Sequence, residues 1–266
     1  MSKIDEIFSR LRASKQSGLV TYVTAGDPDK ERSEVILQAL DRSGVDVLEV
    51  GIPFSDPLAD GPVIQRASER AIAGGMTLTS SLELINKVRS TISAAVIVFT
   101  YVNPMLAYGV EKFMKRSSEV GVDGLLVLDL PLEESKEFRD FAISAGIDPI
   151  FLVSPTTTDE RIKKAAELGR GFLYGISRLG VTGERDAIAS EARFLVERVR
   201  RFTDLPIALG FGISSPEQVA EVGNFADAAV VGSGLVKKIS NVSNDEDLAG
   251  VVSHYIRWLK GESLIH

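Results

Sequence analysis

Eight short apolar runs, each bounded by Gly, Pro or Asp, constrain this chain more than any other feature. They lie near residues 19–24, 45–50, 95–101, 123–129, 148–153, 171–177, 206–211 and 227–231. A strand with one wet face alternates apolar and polar residues. Most of these runs stay apolar throughout, which predicts strands covered on both faces, the habit of parallel sheets. Between the runs the hydrophobic period lengthens: Ile188, Ala192, Leu195, Val196, Val199 and Phe202 fall on one helical stripe that faces a sheet. Helix starts are marked as well. Asp27 precedes Pro28, and Ser215-Pro216-Glu217-Gln218 sets a cap, a first-turn proline and a capping-box glutamine in order. Strand then helix, eight times, predicts a (β/α)8 (TIM) barrel with an extra N-terminal helix. The competing doubly wound open sheet lacks its dinucleotide-type glycine motif, since Thr24-Ala25-Gly26-Asp27-Pro28 stands after the first strand.

Two intervals break the regular spacing. The one after the second strand is long enough for a loop and two helices, near 62–73 and 78–91, and the sixth strand is followed by the polar, glycine-bearing SRLGVTGERDAIAS. Both long loops leave the carboxyl ends of strands, where barrel enzymes carry their chemistry. No repeat, low-complexity stretch or linker divides the chain, so residues 1–266 are expected to form a single barrel domain.

Composition removes several mechanisms. With 0 Cys there is no thiolate metal site, disulfide framework or cysteine nucleophile, and the 2 His, His254 and His266, both sit in the tail, far from any triad or multi-histidine metal site. A net charge of −7 opposes a nucleic-acid backbone. The opening MSKIDEIFSRLRASKQSG mixes charged and apolar residues too finely for a signal peptide, and AAVIVF is too short to cross a bilayer. No nucleic acid, no membrane and a cytoplasmic location are expected. None of the 12 Lys lies in a predicted strand, which argues against a buried Schiff base, and no metal cluster is visible.

Candidate chemistry gathers at the predicted strand ends. Gly180-Val181-Thr182-Gly183, Gly210-Phe211-Gly212 and Gly232-Ser233-Gly234 follow the last three strands. Glycines let backbone N–H groups approach an anion, and a helix starting near Ser233 aims its positive end at the same place, so together they suggest a phosphate site; any one alone reads first as a tight turn at a barrel corner. Glu49 interrupts the second apolar run. Alternation puts Val45, Val47 and Glu49 on one face, inward in a barrel, where desolvation raises a carboxyl pKa and suits it to proton transfer. A structural ion pair is the plainer alternative. Asp56 and Asp60 follow in GIPFSDPLADGP, where Asp-Pro and Asp-Gly are ordinary turn chemistry and Asp60 is also placed to cap the next helix. Tyr22, Phe99, Tyr101, Tyr174 and Phe211 lie near strand ends, either as core or as the walls of a flat apolar slot. Cleaving a carbon–carbon bond without lysine, metal or cofactor requires an electron sink in the substrate, a role a fused aromatic nitrogen heterocycle can fill.

At this point LEVGIPFSDPLADGPVIQRASERA resembles the signature of the tryptophan synthase α-subunit family, and YVTAGDP, TYVNPMLAYG, DGLLVLDLP, SRLGVTG, GFGIS and VVGSG all fall where that family has counterparts. The resemblance implies retro-aldol cleavage of indole-3-glycerol phosphate to indole and glyceraldehyde 3-phosphate. It implies Glu49 as the acid–base group for the substrate hydroxyl and ring carbon, and Asp60 at the indole N–H. Tyr174 is placed beside the reacting side chain, and Thr182 meets Asp60 when two loops close. Gly183, Gly212, Gly232 and Ser233 match the phosphate cradle, and Tyr22, Phe99, Tyr101 and Phe211 the indole site. A partner is implied too: a β subunit carrying pyridoxal phosphate, which takes indole through a tunnel within an αββα heterotetramer, with Pro53, Asp56, Asn103 and Pro131 near the interface and no cofactor in this chain. An exposed apolar patch of Pro53, Phe54, Leu58, Met105, Leu106 and Tyr108 is expected there. Thr21, Gly175 and Gly234 depart from the family's usual residues. The runner-up readings are another phosphate-binding barrel, such as a phosphoribosyl isomerase, and a non-catalytic barrel that only activates a partner.

Overall fold

The computed structural model describes residues 1–176, 185–210, 212–243 and 247–262, with residues 185–189 described through their backbone only. Its eight strands are β1 (Gly18–Thr24), β2 (Val47–Gly51), β3 (Ala95–Thr100), β4 (Gly124–Val127), β5 (Asp148–Val153), β6 (Leu173–Ile176), β7 (Ile207–Gly210) and β8 (Ala228–Val231). All pair in parallel with their sequence neighbours, and β1 pairs with β8, so the sheet closes as the apolar runs predict.

Helices cover the outside. In chain order they are α1 (Lys3–Ser14), α2 (Lys30–Arg42), α3 (Pro62–Ala73), α4 (Leu78–Arg89), α5 (Val102–Tyr108), α6 (Val110–Glu119), α7 (Ser135–Ser144), α8 (Asp159–Leu168), α9 (Arg185–Val199), α10 (Pro216–Gly223), α11 (Ser233–Ser240) and α12 (Leu248–Leu259). The α9 stripe is buried at Ala192, Leu195, Val196 and Val199, and the Ser215–Gln218 capping box forms as read; Ile188 lies outside the described side chains. No helix among the described residues is long and apolar enough to cross a membrane.

Residue alternation sorts the barrel into two cores. Outward residues such as Leu48, Val50, Val96, Val98 and Leu209 pack under the helices. Inward residues, among them Val20, Val47, Ile97, Leu126, Ile150 and Ala208, form a second cluster with Ile4, Ile7, Phe8 and Leu11 of α1. The N-terminal helix therefore plugs the amino end of the barrel. Ile4 reaches into the space left by Gly124, where an added Cβ would sit 2.9 Å from Ile4 Cδ1.

Two expectations need correction. Val45 does not share the inward face of Glu49; it packs in the outer core, because β2 starts only at Val47. Just before it, the Asp46 carboxylate accepts the Leu19 N–H at 3.0 Å while the Asp46 N–H donates to the Leu19 carbonyl, so a side chain extends the ladder there. Asp123 and Asp227 do the same for Val96 and Ile207, each 2.8 Å away. The repeated apolar-Asp dipeptides ahead of β2, β4 and β8 were the sequence signal for these struts. Likewise Asp27 does not start α2. Asp29 is its cap, accepting the Arg32 N–H at 2.7 Å, while Asp27 turns elsewhere.

Candidate active site

Glu49 projects from the middle of β2 into the barrel, in register with Tyr22 of β1 and Ile97 of β3. It is fully buried, and neither carboxylate oxygen has a hydrogen-bond partner. Burial alone pushes its pKa up to about 8, since a charge is costly where neither water nor a counter-ion reaches it. Among the described residues no cation or donor meets either oxygen, which counts against the ion-pair alternative. An unpartnered carboxyl at the catalytic end of a barrel is placed to exchange protons with a ligand.

Tyr22 and Tyr174 feel its charge, and both also feel that of a second carboxylate, Asp60. Tyr22 packs edge-on to Phe99, ring centroids 5.1 Å apart at 73°, and its hydroxyl lies 3.3 Å from Thr24 Oγ1. Tyr174, inward on β6, has its phenol pKa raised by burial first and then by the nearby charges of Glu49, Tyr22 and Asp60. Close packing of these rings depends on two glycines. A Cβ at Gly51 would strike the Tyr22 hydroxyl, and one at Gly210 would lie 2.7 Å from that of Tyr174. Gly210, read from sequence as part of the phosphate cluster, thus makes room for a tyrosine instead.

Asp60 sits in the loop between β2 and α3. Gly61, not Asp60, is the N-cap of α3, and it makes no side-chain cap bond. The Asp60 carboxylate instead accepts the Tyr101 hydroxyl at 2.9 Å, while that same hydroxyl accepts the Ala59 N–H at 3.2 Å. Burial raises the Asp60 pKa and the Tyr101 bond opposes the rise. Tyr101, the N-cap of α5 just beyond β3, leans on Phe54 with centroids 5.2 Å apart. Gln65 of α3 donates to the Asp60 carbonyl at 3.0 Å and holds the loop from behind, a role its sequence context did not signal.

Further round the same rim Gly212 has φ +79, a left-handed conformation that favours glycine, and Gly232 caps α11 without a side-chain cap bond. The first N–H groups of α11, from Ser233 on, are therefore left for another acceptor. Thr182, Gly183 and Phe211 lie outside the described residues.

The expected apolar patch is smaller than its sequence suggests. Pro53 and Met105 are buried, and Phe54 and Tyr108 are half-buried because they turn onto Tyr101 and Phe113. Leu58, 93% exposed, and Leu106, 53% exposed, remain. Asp56, Asn103 and Pro131 are exposed near the same strand ends, with Ser55 Oγ 2.6 Å from the Asp56 carboxylate.

A closed parallel barrel with a buried, unpartnered carboxyl inside it and a second carboxylate held by a tyrosine hydroxyl on the loop after the same strand defines an enzyme of the (β/α)8-barrel class. Residues 8–259 match the family described as tryptophan synthase alpha chain. Relatives of that name share 46% identity in Citrifermentans bemidjiense, over 95% of this chain and 96% of theirs, and 44% in Geotalea daltonii, over 92% and 93%. Among solved structures, tryptophan synthase subunit alpha from Legionella pneumophila superposes with a TM-score of 0.90 at 34% identity over 97% of each chain. A chain of aminoacrylate-bound tryptophan synthase from M. tuberculosis gives 0.88 at 32%, covering 97% of this chain and 98% of that one. The chain belongs to the tryptophan synthase alpha chain family and is a lyase.

Proposed function

We propose that this barrel cleaves indole-3-glycerol phosphate to indole and glyceraldehyde 3-phosphate, with Glu49 as the proton carrier and Asp60 as the electrostatic partner of the ring. Glu49 carries the reading, because a fully buried carboxyl whose two oxygens have no partner among the described residues holds its proton at neutral pH and is free to give it to a ligand. In the step envisaged, Glu49 protonates ring carbon 3, and positive charge spreads to the ring nitrogen. Asp60, held by Tyr101, faces the N–H and offsets that charge. The Glu49 carboxylate then takes the side-chain hydroxyl proton. The carbon–carbon bond breaks into an aldehyde, and its electron pair returns to the ring as indole. Glu49 ends protonated, ready for another turnover. The ring itself is the electron sink, so the chain needs no cofactor of its own.

Tyr22, Phe99, Tyr101 and Phe211 form the walls of the indole slot in this reading, and Tyr174 lies beside the breaking bond. Gly212, Gly232 and Ser233, with Gly183, hold the phosphate through backbone N–H groups, which suits an acidic protein. Thr182 meets Asp60 on loop closure. Residues 1–266 act as one domain in the cytoplasm. Indole is apolar and easily lost, so a β subunit with pyridoxal phosphate receives it within an αββα assembly that covers Leu58 and Leu106, near Pro53, Asp56, Asn103 and Pro131. The direct test supplies indole-3-glycerol phosphate to the purified chain and follows indole release; no indole, with or without a β subunit, would overturn the assignment.

A further inference from the structure

Asp27 is buried at the carboxyl end of β1, yet the reaction above has no use for it. Its side chain is 3% exposed, and Arg70 of α3 donates to both its oxygens, Nε to Oδ1 at 2.8 Å and Nη2 to Oδ2 at 3.0 Å. A bidentate pair of this kind fixes orientation as well as distance. Its cation comes from the last turn of the helix that begins two residues after Asp60. The same helix holds the Asp60 loop through Gln65, whose amide donates to the Asp60 carbonyl at 3.0 Å and the Pro57 carbonyl at 3.4 Å. Ile64 and Ala67, on its inner face, pack with Tyr22 and Phe99.

We propose that Asp27 and Arg70 are positioning residues: their ion pair clamps α3 to the end of β1 and so sets where Asp60 and the Tyr22 face of the slot stand relative to Glu49. Neither residue touches the substrate. The helix transmits the constraint because its backbone hydrogen bonds make Arg70, Gln65 and the Asp60 junction one rigid body. Displacing such a body by an ångström costs ~10²-fold in rate where reacting groups must be aligned. The phosphate cradle is carried by the loops after β6, β7 and β8 and by the start of α11, which packs on α3 through Val236, whereas Asp60 is continuous with α3 itself, so the clamp acts first on turnover and less on phosphate affinity.

The clamp rests on the reaction proposed above, and the test separates the two. Indole release from indole-3-glycerol phosphate is measured for the full chain, Asp60→Asn, Arg70→Met, Arg70→Lys and Asp27→Asn, together with glycerol 3-phosphate affinity and melting temperature. Arg70→Met is expected to lower kcat by about 10- to 100-fold with glycerol 3-phosphate affinity held within about threefold. Arg70→Lys, which keeps the charge but loses the fork, recovers part of kcat. Asp27→Asn, which retains an acceptor for Arg70, gives an intermediate loss and serves if Arg70→Met fails to fold. No indole from the unaltered chain, or full activity in Asp60→Asn, would overturn the reaction reading and the clamp with it. An unchanged kcat in folded Arg70→Met or Asp27→Asn, with only the melting temperature lowered, would overturn the clamp alone.

Discussion

Folding and ionisation oppose each other at Glu49. Its carboxyl, with an ordinary value of 4.5, is pushed up to about 8 in the barrel, so between those values the folded chain keeps a proton that the unfolded chain releases. Stability tied to this group is full below 4.5, falls as pH rises toward 8 and levels off above it. Glu49→Gln removes the titration. Relative to the unaltered chain, the variant should gain up to about 1.4 kcal/mol per pH unit across that window, read from urea unfolding at a series of pH values; parallel curves would show that Glu49 ionises freely. The same substitution should cut indole release by about 10²–10⁴-fold, the worth of a general acid–base group, and a loss below tenfold on that scale would remove Glu49 from the chemistry. Thr21 is a different kind of exception. It is fully buried on β1 beside Leu48 and Val231, and its hydroxyl has no partner. Thr21→Val discards an unsatisfied polar atom at nearly constant shape and should stabilise the fold by about 1 kcal/mol, seen as a higher urea midpoint with unchanged slope.

At the scale of elements, the rim after β8 is set by the approach of α11 to α12 and to the loop after β7. An added Cβ at Gly234 would lie 2.9 Å from the Tyr255 hydroxyl and 3.3 Å from Ser214 Cβ. Gly234→Ala is therefore expected to push the start of α11 away from Gly212 and weaken glycerol 3-phosphate binding by about tenfold, roughly 1.4 kcal/mol. Adding Tyr255→Phe removes the obstructing oxygen and should restore most of the loss. Titration calorimetry on the single and double variants decides it: equal affinities for Gly234→Ala and the unaltered chain would mean that Tyr255 simply steps aside.

For the whole molecule, α1 is both lid and ballast. Phe8 is buried against Phe172 with ring centroids 5.6 Å apart, at the amino end of the barrel and far from the site. Phe8→Ala should cost about 3 kcal/mol or more in urea unfolding, with kcat in the folded variant unchanged; a loss under 1 kcal/mol, below the ordinary cost of such a cavity, would show the plug to be loosely held. The opposite end is where the proposed partner chain is expected to act. A cognate β subunit should form a complex on sizing and raise the rate of indole-3-glycerol phosphate cleavage, because a partner that binds the closed loops better than the open ones shifts their population. A complex with no change in rate would refute this coupling.

The eight apolar runs, the helix stripes and the Ser215 cap were legible in the sequence because each depends on residues a few positions apart, where period and backbone preference act. Glu49 was legible for the same reason: a carboxylate inside an apolar run conflicts with its immediate neighbours. Asp27 was not, and Asp60, though singled out by its loop and by the family signature, was legible without its partner. Both sit in contexts that read as turns or caps, and their structural partners are Arg70 and Tyr101, on other elements brought near only by closure of the barrel. Gly51 and Gly210 show the same limit, since the tyrosine hydroxyls they accommodate come from neighbouring strands. Local chemistry determined which elements form and which residue is out of place. The tertiary structure decided which groups meet, because burial and pairing are set by distances through space that chain spacing does not encode.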